Sequence, residues 1–377
     1  MSSNSMKILK DIENLQGVKV FLRADFNVPV KNGAVADDFR IRAALPTIEY
    51  LRSHGARLVI ASHLEVIDGE KATIAPVATK LKNLGVSVIF VKDYKKAFDA
   101  GEHLADGECL LLENLRMWDG EKENDPKFAK ELASLADIYV NDAFPVCHRE
   151  HASIVGVPKY IPGYAGLQLQ KEVENLSKAF NPAHPFLFIL GGAKFDTKMP
   201  LLTRFLGAAD SIFVGGALAN DLFKAKDYEI GLSLISKGAF DLSHIISDPK
   251  LMIPIDVVNQ KGETKPAMSL SADDKIMDMG PESVKILKGK IETAKFILWN
   301  GPMGLYEDGY RGPTLDIAEM LAEATGRGAT TIVGGGDTIA AIATLKLEDR
   351  FTFISTAGGA MLDFLAKGTL PGIEALG

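Results

Sequence analysis

In the first half of the chain, arginines, histidines and short polar residues recur just after runs of apolar residues. Arg23, Asp25 and Asn27 stand in Arg23-Ala-Asp-Phe-Asn27, Arg40 ends Asp37-Asp-Phe-Arg40, and His63 closes Ser62-His63. Arg116 ends Glu113-Asn-Leu-Arg116, and Arg149 lies between His148 and His151 in the stretch opened by Asn141-Asp142. Guanidinium groups match carboxylate and phosphate oxygens with paired hydrogen bonds. Arg23, Arg40, Arg116 and Arg149 on one rim, with histidines and asparagines beside them, therefore suit a small acid carrying both kinds of anion. Any one of them alone reads as readily as a surface or capping residue; the convergence carries the argument.

The second half repeats the placement with different residues. Its turns are Gly191-Gly-Ala-Lys194, Gly215-Gly-Ala217, Asn300-Gly-Pro-Met-Gly304, Gly334-Gly335-Gly336-Asp337-Thr338 and Ser355-Thr-Ala-Gly358-Gly359. Glycine at a strand-to-helix turn lets backbone N–H groups approach phosphate oxygens, and the helix N-terminus adds a favourable dipole. Five such turns, two of them joined to Lys194 and Asp337, point to a nucleotide site. Asp337 suits the Mg²⁺ that accompanies nucleotide phosphates, with water completing the shell.

What positions these residues is a repeated alternation. Apolar runs at Val18–Leu22, Arg57–Ala61, Val86–Val91, Cys109–Leu112 and Ile138–Val140, then at Phe186–Leu190, Ser211–Val214, Phe296–Trp299, Thr330–Val333 and Phe351–Ile354, alternate with segments of helical spacing such as Ile41–Ser53, Lys127–Leu135 and Thr314–Thr325. Continuously apolar strands separated by helices mean parallel sheets covered on both faces. The expected fold class is α/β, with two doubly wound, Rossmann-like parallel-sheet domains. Ligands of such sheets bind beyond the carboxyl ends of the strands, where the residues above fall. The spacing predicts a helix over Gly163–Phe180, broken by Asn181-Pro-Ala-His-Pro185. Read as a connector, it gives a first domain over 1–163, an interdomain helix over 164–181 and a second domain over 182–365.

At 377 residues the chain is longer than one hydrophobic core usually supports. A net charge of −7 argues against nucleic acid or an anionic membrane surface as the main partner. Two cysteines, Cys109 and Cys147, without paired spacing fit a reduced, cytoplasmic protein. The start lacks the regions of a signal peptide, and no apolar run approaches the ~20 residues that span a bilayer. There is no G-x-x-x-x-G-K-[ST] loop, no G-x-G-x-x-G fingerprint after the first strand and no G-x-S-x-G elbow. His148-Arg-Glu150 lacks the Asp of a protein-kinase catalytic loop.

In order along the chain, Arg23-Ala-Asp-Phe-Asn-Val-Pro29, Ala36-Asp-Asp-Phe-Arg40, Leu111-Leu-Glu-Asn-Leu-Arg116, Tyr139-Val-Asn-Asp-Ala-Phe144 and His148-Arg-Glu-His-Ala-Ser153 resemble the signatures of phosphoglycerate kinase. So do Leu190-Gly-Gly-Ala-Lys194, Trp299-Asn-Gly-Pro-Met-Gly304, Gly334-Gly-Gly-Asp-Thr338 and Leu370-Pro-Gly-Ile-Glu-Ala-Leu376. The resemblance runs from about residue 7 to the end. It implies a bilobal monomer that closes by hinge bending and transfers a phosphoryl group between ATP and 3-phosphoglycerate with Mg²⁺, giving ADP and 1,3-bisphosphoglycerate. It assigns Arg23, Asp25, Asn27, Arg40, His63, Arg116 and Arg149 to the acid. Lys194, Lys198, Gly215, Asn300, Glu307, Gly334, Gly335, Gly336, Asp337 and Thr338 fall to the nucleotide, with Glu307 on the ribose and Asp337 on the metal. Arg40, Lys194, Gly336 and Gly358 are then the groups at the transferring phosphoryl, and the tail 366–377 returns to the first lobe.

The sequence departs from the family at several positions. Where the family reads Ser-His-Leu-Gly-Arg-Pro, this chain has Ser62-His-Leu-Glu65-Val66-Ile67, so a basic ligand is lost and an acid gained. A lost charge-assisted hydrogen bond corresponds to about ten- to a hundredfold in binding. Pro145-Val-Cys147 replaces Gly-Thr-Ala, Thr197 stands where Asp is usual, and Ala357 replaces the first glycine of the last loop. If that last position needs positive φ, alanine costs on the order of 1–2 kcal/mol. These changes leave two further readings: a weakly active or non-catalytic nucleotide-binding paralogue, and a kinase for another small acid. A nicotinamide dehydrogenase fits the glycines superficially but lacks the dinucleotide fingerprint.

Overall fold

The structure, a computed structural model, describes residues 6–65, 72–193, 195–238 and 240–377. The chain divides into two compact units, Met1–Glu174 with Lys367–Gly377, and Asn175–Ala366. Each is built on a six-stranded parallel sheet, as continuous apolar runs require.

In the first unit the strands lie side by side in the order Ile89–Val91, Cys109–Leu112, Arg57–Ala61, Lys19–Arg23, Ile138–Asn141 and Gly163–Ala165. All neighbours run parallel. The side chains of the central strands are almost entirely buried, Val20, Leu22, Leu58, Ile60 and Leu111 among them, against the helices Phe39–Ser53 and Ala75–Asn83. The strand order turns back on itself beside Lys19–Arg23, so the segments after Arg23 and Asn141 open at that point.

The second unit runs Leu251–Met252, Ser211–Val214, Phe186–Leu190, Phe296–Asn300, Thr330–Gly334 and Phe353–Ile354, again parallel throughout. In chain order this is 3-2-1-4-5-6, the doubly wound arrangement with its switch between the first and fourth strands. Every residue of Phe186–Leu190 and Phe296–Asn300 is buried, with Trp299 the largest. Gly191 and Gly301 therefore leave the sheet side by side at the switch.

Several elements differ from the sequence expectation. The helix expected over Gly163–Phe180 begins at Leu167 and runs to Ser177, followed by a 3₁₀ turn over Lys178–Phe180. Gly163–Ala165 is instead a sheet-edge strand pairing with Ile138–Asn141. A three-stranded antiparallel sheet of Asp256–Asn259, Thr264–Pro266 and Ile276–Met279 was not anticipated, nor was the hairpin Val30–Lys31 with Ala34–Val35. The tail packs in the first unit: Gly372 N–H donates to the Cys147 carbonyl at 2.9 Å, and the Gly372 carbonyl accepts from Asn141 Nδ2.

Asp142, just after its strand, starts the helix Leu167–Ser177. Its Oδ1 accepts from the amides of Gln168 at 2.9 Å and Leu169 at 3.2 Å. Burial pushes the carboxyl up to about 6, against the opposing pull of Thr47 and these amides. Asp142→Ala leaves both amides without their acceptor, so the urea midpoint is expected to fall by the equivalent of about 1–3 kcal/mol.

Candidate active site

In the first unit each strand end contributes one part of the site. Arg23 ends the first strand, Asp25 and Asn27 follow it, and Arg40 comes from the opening turn of the helix Phe39–Ser53. His63 and Glu65 follow Arg57–Ala61, Arg116 lies in the 3₁₀ turn Leu115–Met117 capped by Asn114, and Arg149 follows the turn Phe144–Val146. The structure joins all seven sequence-assigned residues into one chain of contacts. Arg40 Nη1 lies 3.2 Å from Asp25 Oδ2 and donates to the Asn27 carbonyl at 3.0 Å. Asp25 Oδ1 lies 4.0 Å from His63 Nδ1. Glu65 then ties His63 to Arg116 and Arg149.

Arg23 lies behind this rim rather than on it. It is 0% exposed, donating to Ser153 Oγ at 2.8 Å and to the Ala24 carbonyl, with Glu121 at 4.0 Å. Its Nη2 sits 3.3 Å from His63 Nδ1. A guanidinium can only donate, so Nδ1 accepts and the imidazole proton stands on Nε2. Burial, then Arg23, Arg116, Arg149 and Arg40, hold the His63 pKa well below its usual value. His63 is a neutral donor aimed at the rim. His151 is held down to about 4 by burial, then by Arg116, Arg23, Arg149 and Lys122.

The rim carries buried donor nitrogens that find no hydrogen-bond partner: Nε and Nη2 of Arg116 and Nε2 of His63. Arg116 is 4% exposed and His63 1%. Groups this buried are normally satisfied, so the cluster is built to receive a ligand rich in oxygen acceptors.

The second unit holds a cleft of about 610 Å³ at the switch point. Lys198, Asn300, Glu307, Gly335, Gly336 and Asp337 line it. Gly335 adopts φ +101°, which turns the chain from Gly334 into the helix Gly336–Leu345, whose first residues Gly336 and Asp337 line the cleft. Lys198 is buried, its Nζ donating to the Gly191 carbonyl. Burial brings its pKa down to about 8, with Asp337 opposing the shift. Gly215, Gly334 and Thr338 stand behind the cleft. A Cβ at Gly215 would meet Met303, one at Gly334 would meet Met361, and Thr338 Oγ1 accepts from Gly301 N–H at 2.9 Å. Gly358 precedes the helix Gly359–Lys367, with open space beside its Cα.

The family model for phosphoglycerate kinase matches residues 9–368. This chain belongs to the phosphoglycerate kinase family. The phosphoglycerate kinase of Dictyoglomus turgidum is 42% identical over 401 aligned positions, covering 100% of this chain and 99% of that one. That of Thermosipho africanus is 40% identical over 393 positions, 98% of this chain and 97% of its own. Among solved structures, phosphoglycerate kinase from Coxiella burnetii superposes with a TM-score of 0.85 at 36% identity, covering 99% of both chains. The Pyrococcus horikoshii enzyme gives 0.86 at 31%, covering 98% of both.

Against the phosphoglycerate kinase pattern, Val66 and Lys194 lie outside the described residues. Ala357 has no left-handed backbone: the non-glycine residues with positive φ among those described are Asn32, Asn124, Asp227 and Lys346. The strain considered for that alanine does not arise. Thr197 is exposed on the helix Phe195–Leu206. Pro145-Val-Cys147 lies where the tail docks, Cys147 packing against Gly372.

Glu121 and Ser153 were missed as site-building residues. Glu121 is fully buried, its two oxygens accepting from Ser153 N–H at 2.9 Å and Ser153 Oγ at 2.6 Å. It balances Arg23, which in turn orients His63. Ser153 stood within a recognised motif, but Glu121 lies in Trp118-Asp-Gly-Glu-Lys122, which reads as an ordinary solvated turn. Glu121→Ala leaves Arg23 buried beside no acid, and a loss of about 3–5 kcal/mol is expected in equilibrium unfolding.

Proposed function

We propose that the protein catalyses reversible transfer of the γ-phosphoryl group of ATP to the carboxylate of 3-phosphoglycerate, forming ADP and 1,3-bisphosphoglycerate. The single observation that carries this reading is the buried, unsatisfied set of Arg116 and His63 donors on a rim with Arg40 and Arg149. An acceptor with both a phosphate and a carboxylate matches it in charge and in oxygen count.

The chemistry asks little of a general base. The acceptor carboxylate is already ionised near neutral pH, which agrees with a rim whose one buried histidine is held neutral and serves as a donor. The work is positioning and charge neutralisation, since the transferring group spreads negative charge over its oxygens. In this reading the rim arginines orient the acid, and Lys198, the N-terminus of Gly336–Leu345 and Asn300 hold the nucleotide's phosphates, with Glu307 on the ribose. Lys194 and Arg40 neutralise the transferring group.

Mg²⁺ enters with the nucleotide. Among the described residues no group of three or more His, Cys, Asp or Glu side chains could hold a metal ion by itself. A single half-buried carboxylate at Asp337, at the mouth of a phosphate cradle, fits a cation that keeps several waters and binds chiefly through phosphate oxygens. When bound, the ion screens the phosphate charges against one another. The reading also takes the protein as a cytoplasmic monomer; no helix among the described residues is long and apolar enough to cross a membrane.

A coupled assay with ATP, Mg²⁺ and 3-phosphoglycerate is expected to give turnover of roughly 1–100 s⁻¹. In calorimetric titration, Arg40→Ala is expected to weaken 3-phosphoglycerate binding about ten- to a hundredfold. Equal affinities would remove the acid site as drawn, and turnover with another small acid alone would reassign the acceptor.

Lys198 gives a pH signature. Its ammonium, with a pKa brought down to about 8, is charged at neutral pH and loses its proton as the pH rises through that value. ADP affinity is therefore expected to fall with rising pH above about 8. Lys198→Met should bind ADP more weakly and abolish the slope; an unaltered pH profile in that variant would exclude Lys198 as the titrating group.

A further inference from the structure

Glu65 places one carboxylate oxygen on each of two rim arginines. Oε2 lies 3.2 Å from Arg116 Nη1 and Oε1 3.3 Å from Arg149 Nη1. The same Oε1 lies 3.9 Å from His63 Nε2, the nitrogen that carries the imidazole proton. The carboxylate thus stands where three donors converge.

The backbone around it is fixed. Glu65 N–H donates to Asn27 Oδ1 at 3.0 Å. Asn114 grips the preceding residue from both sides, accepting from Leu64 N–H at 3.0 Å and donating to the Leu64 carbonyl at 3.1 Å. Glu65 is therefore delivered to the arginines by anchored backbone rather than by chance reach. Yet its side chain is 45% exposed, as is 38% of Arg149, so it can rotate away without disturbing those anchors. Nor does it saturate the site, because Arg116 Nε and Nη2 and His63 Nε2 keep no hydrogen-bond partner. A carboxylate offers two oxygens and one charge; a phosphate offers three oxygens and up to two charges.

We propose that the Glu65 carboxylate is a tethered competitor for the anionic group of the substrate, occupying the Arg116–Arg149–His63 site and leaving it when an acid binds. The inference rests on reading this rim as the acid site. It gives the acid that replaces the family glycine a role: it supplies the buried arginine with a partner in the free protein and sets a threshold that an incoming anion must exceed.

Competition of this kind has a distinctive arithmetic. If only the fraction of molecules with Glu65 withdrawn can bind, every anion that needs both arginines loses affinity by the same factor. With one arginine buried and the other pair members half in water, that factor is roughly tenfold, above the few-fold of an exposed pair and below that of a buried one.

The test is calorimetric titration of 3-phosphoglycerate and of inorganic phosphate into the full-length protein, its Glu65→Gln variant and its Glu65→Asp variant. Glu65→Gln is expected to tighten both ligands by one common factor, roughly tenfold. Glu65→Asp keeps the charge but is one methylene too short to touch both arginines, and it should recover most of that gain. Unchanged or weaker binding in Glu65→Gln overturns the proposal. So does tightening in Glu65→Gln with Glu65→Asp behaving as the parent, which would assign the effect to charge at a distance. If phosphate follows the expected pattern and 3-phosphoglycerate binds none of the three proteins, the competitor stands and the acceptor assignment falls.

Discussion

The first unit is organised around cations held out of water close to one another. Arg23 and Arg116 are buried, and Arg40 and Arg149 stand within the same run of contacts around His63. Burying a charge is costly unless it is paired and hydrogen-bonded. The surrounding residues answer that constraint one by one. Glu121 and Ser153 settle Arg23 from behind, Asp25 settles Arg40, and His63 stays neutral because burial, and then four nearby arginines, disfavour a further proton. What is left over, two nitrogens of Arg116 and one of His63, is the binding capacity on which the proposed function rests. Recognition and stability are here the same set of interactions, divided between partners the protein supplies and partners it does not.

In the proposed function the second unit handles anions by another route. At the switch of its strand order it gathers backbone N–H groups, a helix N-terminus and one buried lysine. Peptide dipoles carry no net charge, so they can be packed together without the repulsion that dominates the first unit. The cost appears instead as steric demand. Gly191 and Gly301 approach so closely that a side chain on either would meet backbone of the other loop. Thr338 then ties the Gly301 turn to the helix Gly336–Leu345.

Much of this was legible because long apolar runs state both strand and burial. Arg57–Ala61, Cys109–Leu112, Phe186–Leu190 and Ser211–Val214 end where the sequence pattern ends, and the chemistry follows each. Gly163–Ala165 was hidden because three small or aromatic residues at a sheet edge carry no periodicity, and the helical pattern after them absorbed them. The antiparallel strands Asp256–Asn259 and Ile276–Met279 interleave Asp, Asn and Met and pair through a register shift, so they lack a clean alternation. Side-chain roles were harder still. Arg23 and Arg116 both stand at the carboxyl ends of strands, one as the last strand residue and the other in the turn beyond, and only three-dimensional packing makes one a support and the other an open donor. Glu65 was legible as a departure from a pattern, but its two arginine contacts depend on how Asn27 and Asn114 hold the loop.

The tail bears on how the molecule comes into being. Residues Lys367–Gly377 belong to the first unit although the whole of the second is made between them and its other residues. Gly372 sits on Cys147 and Ile154, and Leu376 packs against Gly163 at the sheet edge. During synthesis, then, the amino-terminal sheet emerges with an apolar seat around Ala143, Val146 and Ile154 still open, and it stays open while nearly two hundred further residues are translated. Domains tend to fold as they leave the ribosome, but this one receives its closing piece only after the second unit, so its completion waits on translation of that whole unit.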